Sequence, residues 1–337
     1  MLSIPRPSLS LSSSSALLAS AVFAALLTGC GGGGGGSNSE SSSPGTVATN
    51  PQGQTGTPTT PVPPPIAPAL AGNTATDGFN WFNYRRGMMG LSALSRNTTI
   101  DTAALGHSQY LRLNNTVSHD QLAGRPGFTG LKLTDRLAAA GYTLGGRWAA
   151  GEVISAASNT SGQYHADELI AAIYHRFVIF EPVFKEVGTG AVTSNGTYTY
   201  FTADLTANNG LGAGLGVGKI AVYPVAGQTA VPTNFFSNQE EPDPVPNQDE
   251  VGYPISVHAD SGRAGGDLTV QSFTVAPRGG AALTTRLLSR ATDASTGASV
   301  AAIVPLTVLR GNTTYDVSFR GAVHGVAVSQ DWSFTTR

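Results

Sequence analysis

Six histidines, a single cysteine and a modest number of carboxylates are what this chain of 337 residues offers for chemistry. An imidazole can act as general base or metal ligand near neutral pH, but a hydrolytic mechanism needs partners at defined spacing. The G-x-S-x-G elbow of the α/β-hydrolases does not occur. Neither does the H-E-x-x-H pair of a dedicated zinc protease. Ser118 precedes His119, yet neighbours on an extended segment point to opposite faces, so Ser118 is a poor partner for that ring.

His175 stands in the segment Asp167 to Pro182, whose apolar residues recur with helical spacing. Leu169, Ile170, Ile173, Tyr174 and Phe177 form one stripe, and His175 falls nearly opposite, with Glu168 and Ala172. Packing alone does not call for an imidazole there, so the expectation is a polar-face residue that borders a cleft or does nothing. Glu168 on the same face reads as a solvated side chain. His107 lies on the apolar face of a helix over Thr99 to Asn114 and reads as a satisfied core histidine. His165 is expected to be a solvated residue at a helix start, and His258 and His324 to lie outside any constellation.

The elements that must position these groups follow from the pattern. Asp77 is a plausible N-cap for a first helix through Phe79, Phe82 and Arg86. A third helix spans Thr134 to Ala140, a strand Trp148 to Ala156, and Pro182 closes the fourth helix. Two β-runs, Val187 to Thr193 and Thr197 to Leu205, flank Ser194-Asn195-Gly196, a hairpin signal. Helices followed by an antiparallel hairpin make the fold class α+β. From Tyr253 onward short alternating runs, among them Tyr315, Val317, Phe319 and then Trp332, Phe334, describe a β-sandwich.

Ahead of all this lies an apolar run from Ala16 to Leu27, too short for a membrane span and of the length of a secretory core. It ends in Leu27-Thr28-Gly29-Cys30, which resembles the lipobox of bacterial lipoproteins. That resemblance implies lipidation of Cys30 and a chain anchored to a membrane, not crossing it. The expected organisation is a leader over 1–29, a disordered Gly/Ser/Pro/Thr tether over 30–72, an α/β domain over 73–208, a linker with a short strand over 209–250, and a β-sandwich over 251–337. With its one cysteine lipidated, the exported chain has no disulfide to rely on. Net charge is −2 and charged residues make up 12% of the chain, so no basic surface exists to engage nucleic acid.

The residues of the first domain resemble the CAP superfamily (cysteine-rich secretory proteins, antigen 5 and pathogenesis-related-1 proteins) in a bacterial, disulfide-free form. Asn83 with Arg86, Gly90-Leu91, Ser118-His119-Asp120, Phe128-Thr129-Gly130, Asp135-Arg136, Gly151-Glu152, Tyr174-His175-Arg176 and Val187-Gly188-Thr189-Gly190 carry the likeness. It implies an α-β-α sandwich whose central cleft holds two histidines and two acids, here His119, His175 and Glu152. The second acid is expected five residues past the first histidine, where this chain has Gly124. The resemblance also implies a possible divalent metal, zinc, on His119 and His175. The region after Tyr253 resembles a bacterial Ig-like domain, which makes the whole a CAP-type sandwich followed by an Ig-like sandwich.

The expected function is an exported, lipid-anchored module at the cell envelope, at the outer membrane if the cell is Gram-negative. Its cleft would bind a small molecule, a lipid or a divalent metal without catalysis. A metal-dependent hydrolase of peptide or cell-wall material is the alternative, and adhesion through the Ig-like part a second one.

Overall fold

The computed structural model describes the backbone of Leu17–Ala19 and, with side chains, residues 65–262 and 267–337. Most of the leader, Cys30 and most of the tether lie outside the described residues. Among the described residues no helix is long and apolar enough to cross a membrane.

The first half is a five-stranded sheet between two layers of helix. Its strands are β1 (Leu17–Ala19), β2 (Ser95–Arg96), β3 (Ala149–Ser158), β4 (Glu186–Thr193) and β5 (Tyr198–Ala207), in the order β1-β3-β5-β4-β2. The predicted hairpin is β4 and β5, paired antiparallel from Glu186↔Thr206 to Thr193↔Thr199. On one face lie α2 (Thr98–Asn114) and α3 (Leu133–Ala139), packed on Ala150, Ile154 and Ala156 of β3. On the other lie α1 (Thr74–Met88), α4 (Gly162–Ala171) and α5 (Ile173–Ile179), around Ala149 and Val153 of β3 and Phe201 and Ala203 of β5. Alternation along β3 therefore sends Gly151 to the α5 face and Glu152 to the α2 face. The glycines of β4 have a packing reason. A Cβ at Gly188 would come within 2.2 Å of the Asp101 nitrogen, and one at Gly190 within 2.2 Å of the Leu105 nitrogen, both on α2.

Three details differ from the sequence expectation. Helix α1 is capped by Asn73, whose side chain accepts from Thr76 N, while Asp77 accepts from Ala71 N and Gly72 N. The fourth helix is two helices, broken at Ala172, which has extended angles of φ −69° and ψ 118°. The supposed linker over 209–250 is also part of the second half. Its strand β6 (Ala221–Tyr223) joins a four-stranded sheet in the order β11-β12-β9-β6, with β9 (Ile255–His258), β11 (Thr285–Ser289) and β12 (Val300–Pro305). Strands β7 (Asn234–Phe236) and β8 (Glu250–Gly252) make a short antiparallel ribbon. The opposing sheet is β10 (Thr269–Pro277), β13 (Thr314–Val323) and β14 (Val326–Thr335). Among the described residues the named strands of this second half pair antiparallel, with one isolated parallel bridge between Val231 and Thr336, and the two sheets share an apolar core that includes Ile303, Phe319 and Phe334.

The two halves are joined through α5, and all seven of its residues are buried. The carboxylate of Glu240 accepts hydrogen bonds from the backbone nitrogens of Ile173 (2.8 Å), Tyr174 (2.7 Å) and His175 (3.2 Å). Those are N–H groups that a helix start leaves without intrahelical partners, so the acid caps α5 from the second half of the chain. One turn on, the buried Arg176 donates to Ile170 O (2.6 Å) and Pro254 O (2.7 Å), and its guanidinium lies about 5 Å from the rings of Tyr223 and Tyr253. His258 packs its ring edge against Phe177 and Phe180. One continuous apolar cluster runs through both halves.

Arg176→Ala strips the donor from two buried carbonyls and is expected to cost about 3 kcal/mol. Urea unfolding should follow one transition in wild type, shifted to lower urea in the variant; two separate wild-type transitions would show that the halves are not interlocked.

Candidate functional site

The α2 face of the sheet holds a buried polar cluster built on Glu152. Its oxygen Oε1 lies 2.8 Å from His119 Nδ1, and its oxygen Oε2 accepts from Arg136 Nη2 at 2.6 Å. His119 sits in the connection between α2 and α3, and its side chain is 14% exposed against 3% for Glu152. Arg136 comes from α3 and also donates from Nη1 to the His119 carbonyl at 2.8 Å, fixing the loop as well as the acid. Ser118 spends its hydroxyl on the Asp120 carbonyl at 3.0 Å, away from the imidazole.

His107 of α2 completes the inner wall, with Nε2 at 3.8 Å from Glu152 Oε1. Its Nε2 bonds to the Ser118 carbonyl (2.9 Å) and its Nδ1 to Gln121 Nε2 (2.9 Å). A carbonyl only accepts and an amide NH2 only donates, so His107 is the neutral tautomer with its proton on Nε2. Burial lowers its pKa to about 4, against the opposing pull of the Glu152 charge. Gln121 in turn uses its oxygen on Thr129 N at 2.7 Å.

A second acid is present, though not at Gly124. Asp204 of β5 is register partner to Glu152 of β3 and fully buried. Among the described residues no donor reaches either of its oxygens. Burial, and then the charge of Glu152, raise its pKa well above the usual range, which favours the protonated form. For Glu152 itself burial works against the charge, but His107, Arg136 and the hydrogen bond from His119 outweigh it and lower its pKa. The Arg136 guanidinium therefore pairs with the acid of the two whose charge is favoured, Glu152.

Of the three residues expected in the cleft, the structure brings together His119 and Glu152. His175 is elsewhere. Helix α5 packs on the opposite face, where a Cβ at Gly151 would come within 2.7 Å of Val178, so the sheet stands between His175 and Glu152. His175 is 1% exposed and its Nδ1 lies 3.1 Å from Glu240 Oε1. The polar-face expectation for His175 fails because the β half covers that face. His119 and His175, the pair expected to hold a metal, stand on opposite faces of the sheet, and both Glu152 oxygens carry hydrogen bonds. Among the described residues no group of three or more His, Cys, Asp or Glu side chains is arranged to hold a metal. His165 is also corrected: it is fully buried, 2.8 Å from Ser155 Oγ, not solvated.

Sequence reasoning missed Asp204, Arg136, His107 and Gln121 as members of the cluster. A charged residue inside the otherwise uncharged run Tyr198 to Ala207 was the available signal for Asp204.

Residues 79–205 match the family model of the cysteine-rich secretory protein family, CAP. This stretch is a CAP domain. Among solved structures, an extracellular protein containing a SCP domain from Bacillus anthracis str. Ames is 25% identical, with 39% of each chain covered and a TM-score of 0.32. An outer surface protein from Borrelia burgdorferi is 12% identical over 39% of this chain and 89% of that one, with a TM-score of 0.33. The chain thus spans well under half of the first of these. No curated protein sequence matches it.

Among the buried histidines of the CAP domain, His107 makes stability pH-dependent. His107 is lowered to about 4 from the ordinary 6.5, so the unfolded chain binds the extra proton first and stability falls as pH drops from about 6.5 to 4. The shift corresponds to about 3 kcal/mol. Urea midpoints measured from pH 7 to pH 4 should decline, and His107→Gln should decline less steeply over that window.

Proposed function

We propose that the chain is an exported, lipid-anchored protein whose CAP domain, interlocked with the β half, is a non-catalytic binding module for a small ligand. The supporting observation is the closure of the Glu152 cluster. Both oxygens of that acid are held by His119 and Arg136, and burial raises the pKa of the neighbouring Asp204. A general base must be free to take a proton from a reacting group, whereas here the hydrogen bonds tie loop, helix and sheet together. Glu152 is a brace in this reading.

Export and anchoring are supported by the sequence ahead of the CAP domain. The run Ala16 to Leu27 has the length of a secretory core, and Leu27-Thr28-Gly29-Cys30 supplies the acceptor cysteine. Alkyl chains on Cys30 would hold the folded part at the cell envelope, at the outer membrane in a Gram-negative cell.

One observation favours a second reading. His119 is partly exposed and backed by Glu152, the arrangement of a histidine base, which is what a hydrolase of peptide or cell-wall substrates would need. The two readings separate experimentally. The purified full chain should show no saturable hydrolysis of peptides, esters or cell-wall fragments, with or without zinc; turnover that disappears in His119→Ala would overturn the binding-module reading. Metabolic labelling with palmitate should mark the wild type and be lost in Cys30→Ser, with the protein moving from the membrane to the soluble fraction. Labelling retained in that variant would remove the anchor.

A further inference from the structure

Between the CAP sheet and the β half lies a cavity of about 490 Å³. That is within the range of small-molecule sites. Its apolar surface is supplied from both halves, by Phe177 and Phe184 on the CAP side and Leu268 and Val300 on the β side. The space lies on the α5 face of the sheet, with Gly151 in its lining, and is therefore separate from the Glu152 cluster.

Three carboxylates line this largely apolar space: Asp260 accepts from Leu215 N and Gly216 N, Asp267 pairs with Arg290, and Glu181, 7% exposed, is the one that neither of those arrangements engages. Its backbone donors both fall on one oxygen: Oε1 accepts from Val183 N (3.3 Å) and Ser261 N (3.2 Å). The nearby guanidinium of Arg86 makes no ion pair with the acid group: its Nε donates to Ser92 O, its Nη1 to the backbone carbonyls of Ile179 and Glu181, and its Nη2 is buried without a partner among the described residues. A glutamine would accept the two backbone bonds equally well. An acid held in such a place is costly unless a cation compensates it. We propose that the cavity binds a small organic amine, its ammonium group on the Glu181 carboxylate and its apolar body against Phe177, Phe184, Leu268 and Val300.

Burial raises the pKa of Glu181 to about 7, the hydrogen bonds from Val183 and Ser261 and the Arg86 charge opposing it. The other titratable groups on this side are Asp260 and His324 in the lining and the exposed Asp267–Arg290 pair. Asp260 accepts from Leu215 N and Gly216 N, and His324 Nε2 lies 3.2 Å from the Asp260 carbonyl. The amine site ionises as pH rises through about 7, so affinity for an ammonium group should increase from pH 6 to pH 8 by roughly tenfold.

The inference deepens the binding-module reading by naming its ligand class, and the two fail separately. Absence of amine binding leaves the hydrolysis and labelling results as they stand, and His119-dependent turnover would say nothing about this cavity.

The experiment is calorimetric titration of the full chain with tryptamine and with tryptophol, which replaces the amine by a neutral hydroxyl. Tryptamine should bind one to one, at least tenfold tighter than tryptophol at pH 8, and weaken at pH 6. Glu181→Gln should bind both alike while melting near the wild-type temperature. Gly297, whose added Cβ would meet only Val300 at 3.7 Å, admits a larger side chain, and Gly297→Trp should fill the space and abolish binding of both. Equal wild-type binding of the two probes, no binding of tryptamine, or a preference that survives in Glu181→Gln overturns the proposal. Should Glu181→Gln fail to fold, the wild-type amine preference, its pH dependence and Gly297→Trp decide it.

Discussion

The carboxylate of Glu240 on the first turn of α5 is the contact on which the architecture turns. A seven-residue helix has few internal hydrogen bonds to set against its unsatisfied ends. Here three of those N–H groups are satisfied by an acid some 65 residues further along the chain. That single group converts the break at Ala172 from a defect into a junction. It also draws the segment after the ribbon strand β7 onto the CAP domain. Arg176 then holds the exit of α4 and the start of the β half from within, where water cannot compete for its donors. The Tyr-His-Arg stretch that resembles a cleft wall is, in this chain, an interdomain clamp.

The central sheet is a partition with different contents on its two sides. Consecutive residues of β3 serve both: Glu152 enters the polar cluster under α2, and Gly151 leaves room for Val178 and Phe184 beside the interdomain cavity. The close approach of α2 to Gly188 and Gly190 keeps the polar side narrow, and a narrow space favours a fully satisfied hydrogen-bond network over an open cleft. The side shared with the β half is wider and largely apolar. Binding capacity and polar chemistry are thus divided between the two faces.

Much of the architecture was legible before any coordinates. The Asn-Gly hairpin, the helices of the CAP domain and the alternating strands of the second half all rest on short-range patterns, and they formed where those patterns placed them. A short strand within 209–250 was visible as a strand, yet the sheet that β6 joins was not, because pairing with β9 joins residues over 30 positions apart. The long helix over Asp167 to Pro182 was misread as continuous for a related reason: helical periodicity runs through Ala172, and the cap that permits the break comes from Glu240.

What the sequence determined alone was the inventory and its local frame: the α+β order, the Ser118-His119 loop, Glu152 on a buried strand, the glycines of β4 and the cysteine after an apolar leader. What the tertiary structure decided was which of those groups meet. Glu152 and Asp204 share a face only because β3 and β5 pair in one register, and His175 is excluded from them because alternation assigns α5 to the opposite face. Period-2 and period-3.6 patterns fix a residue's direction relative to its own element. Whether that direction ends at a partner, a cavity or another domain depends on contacts between distant parts of the chain, and no local pattern records those.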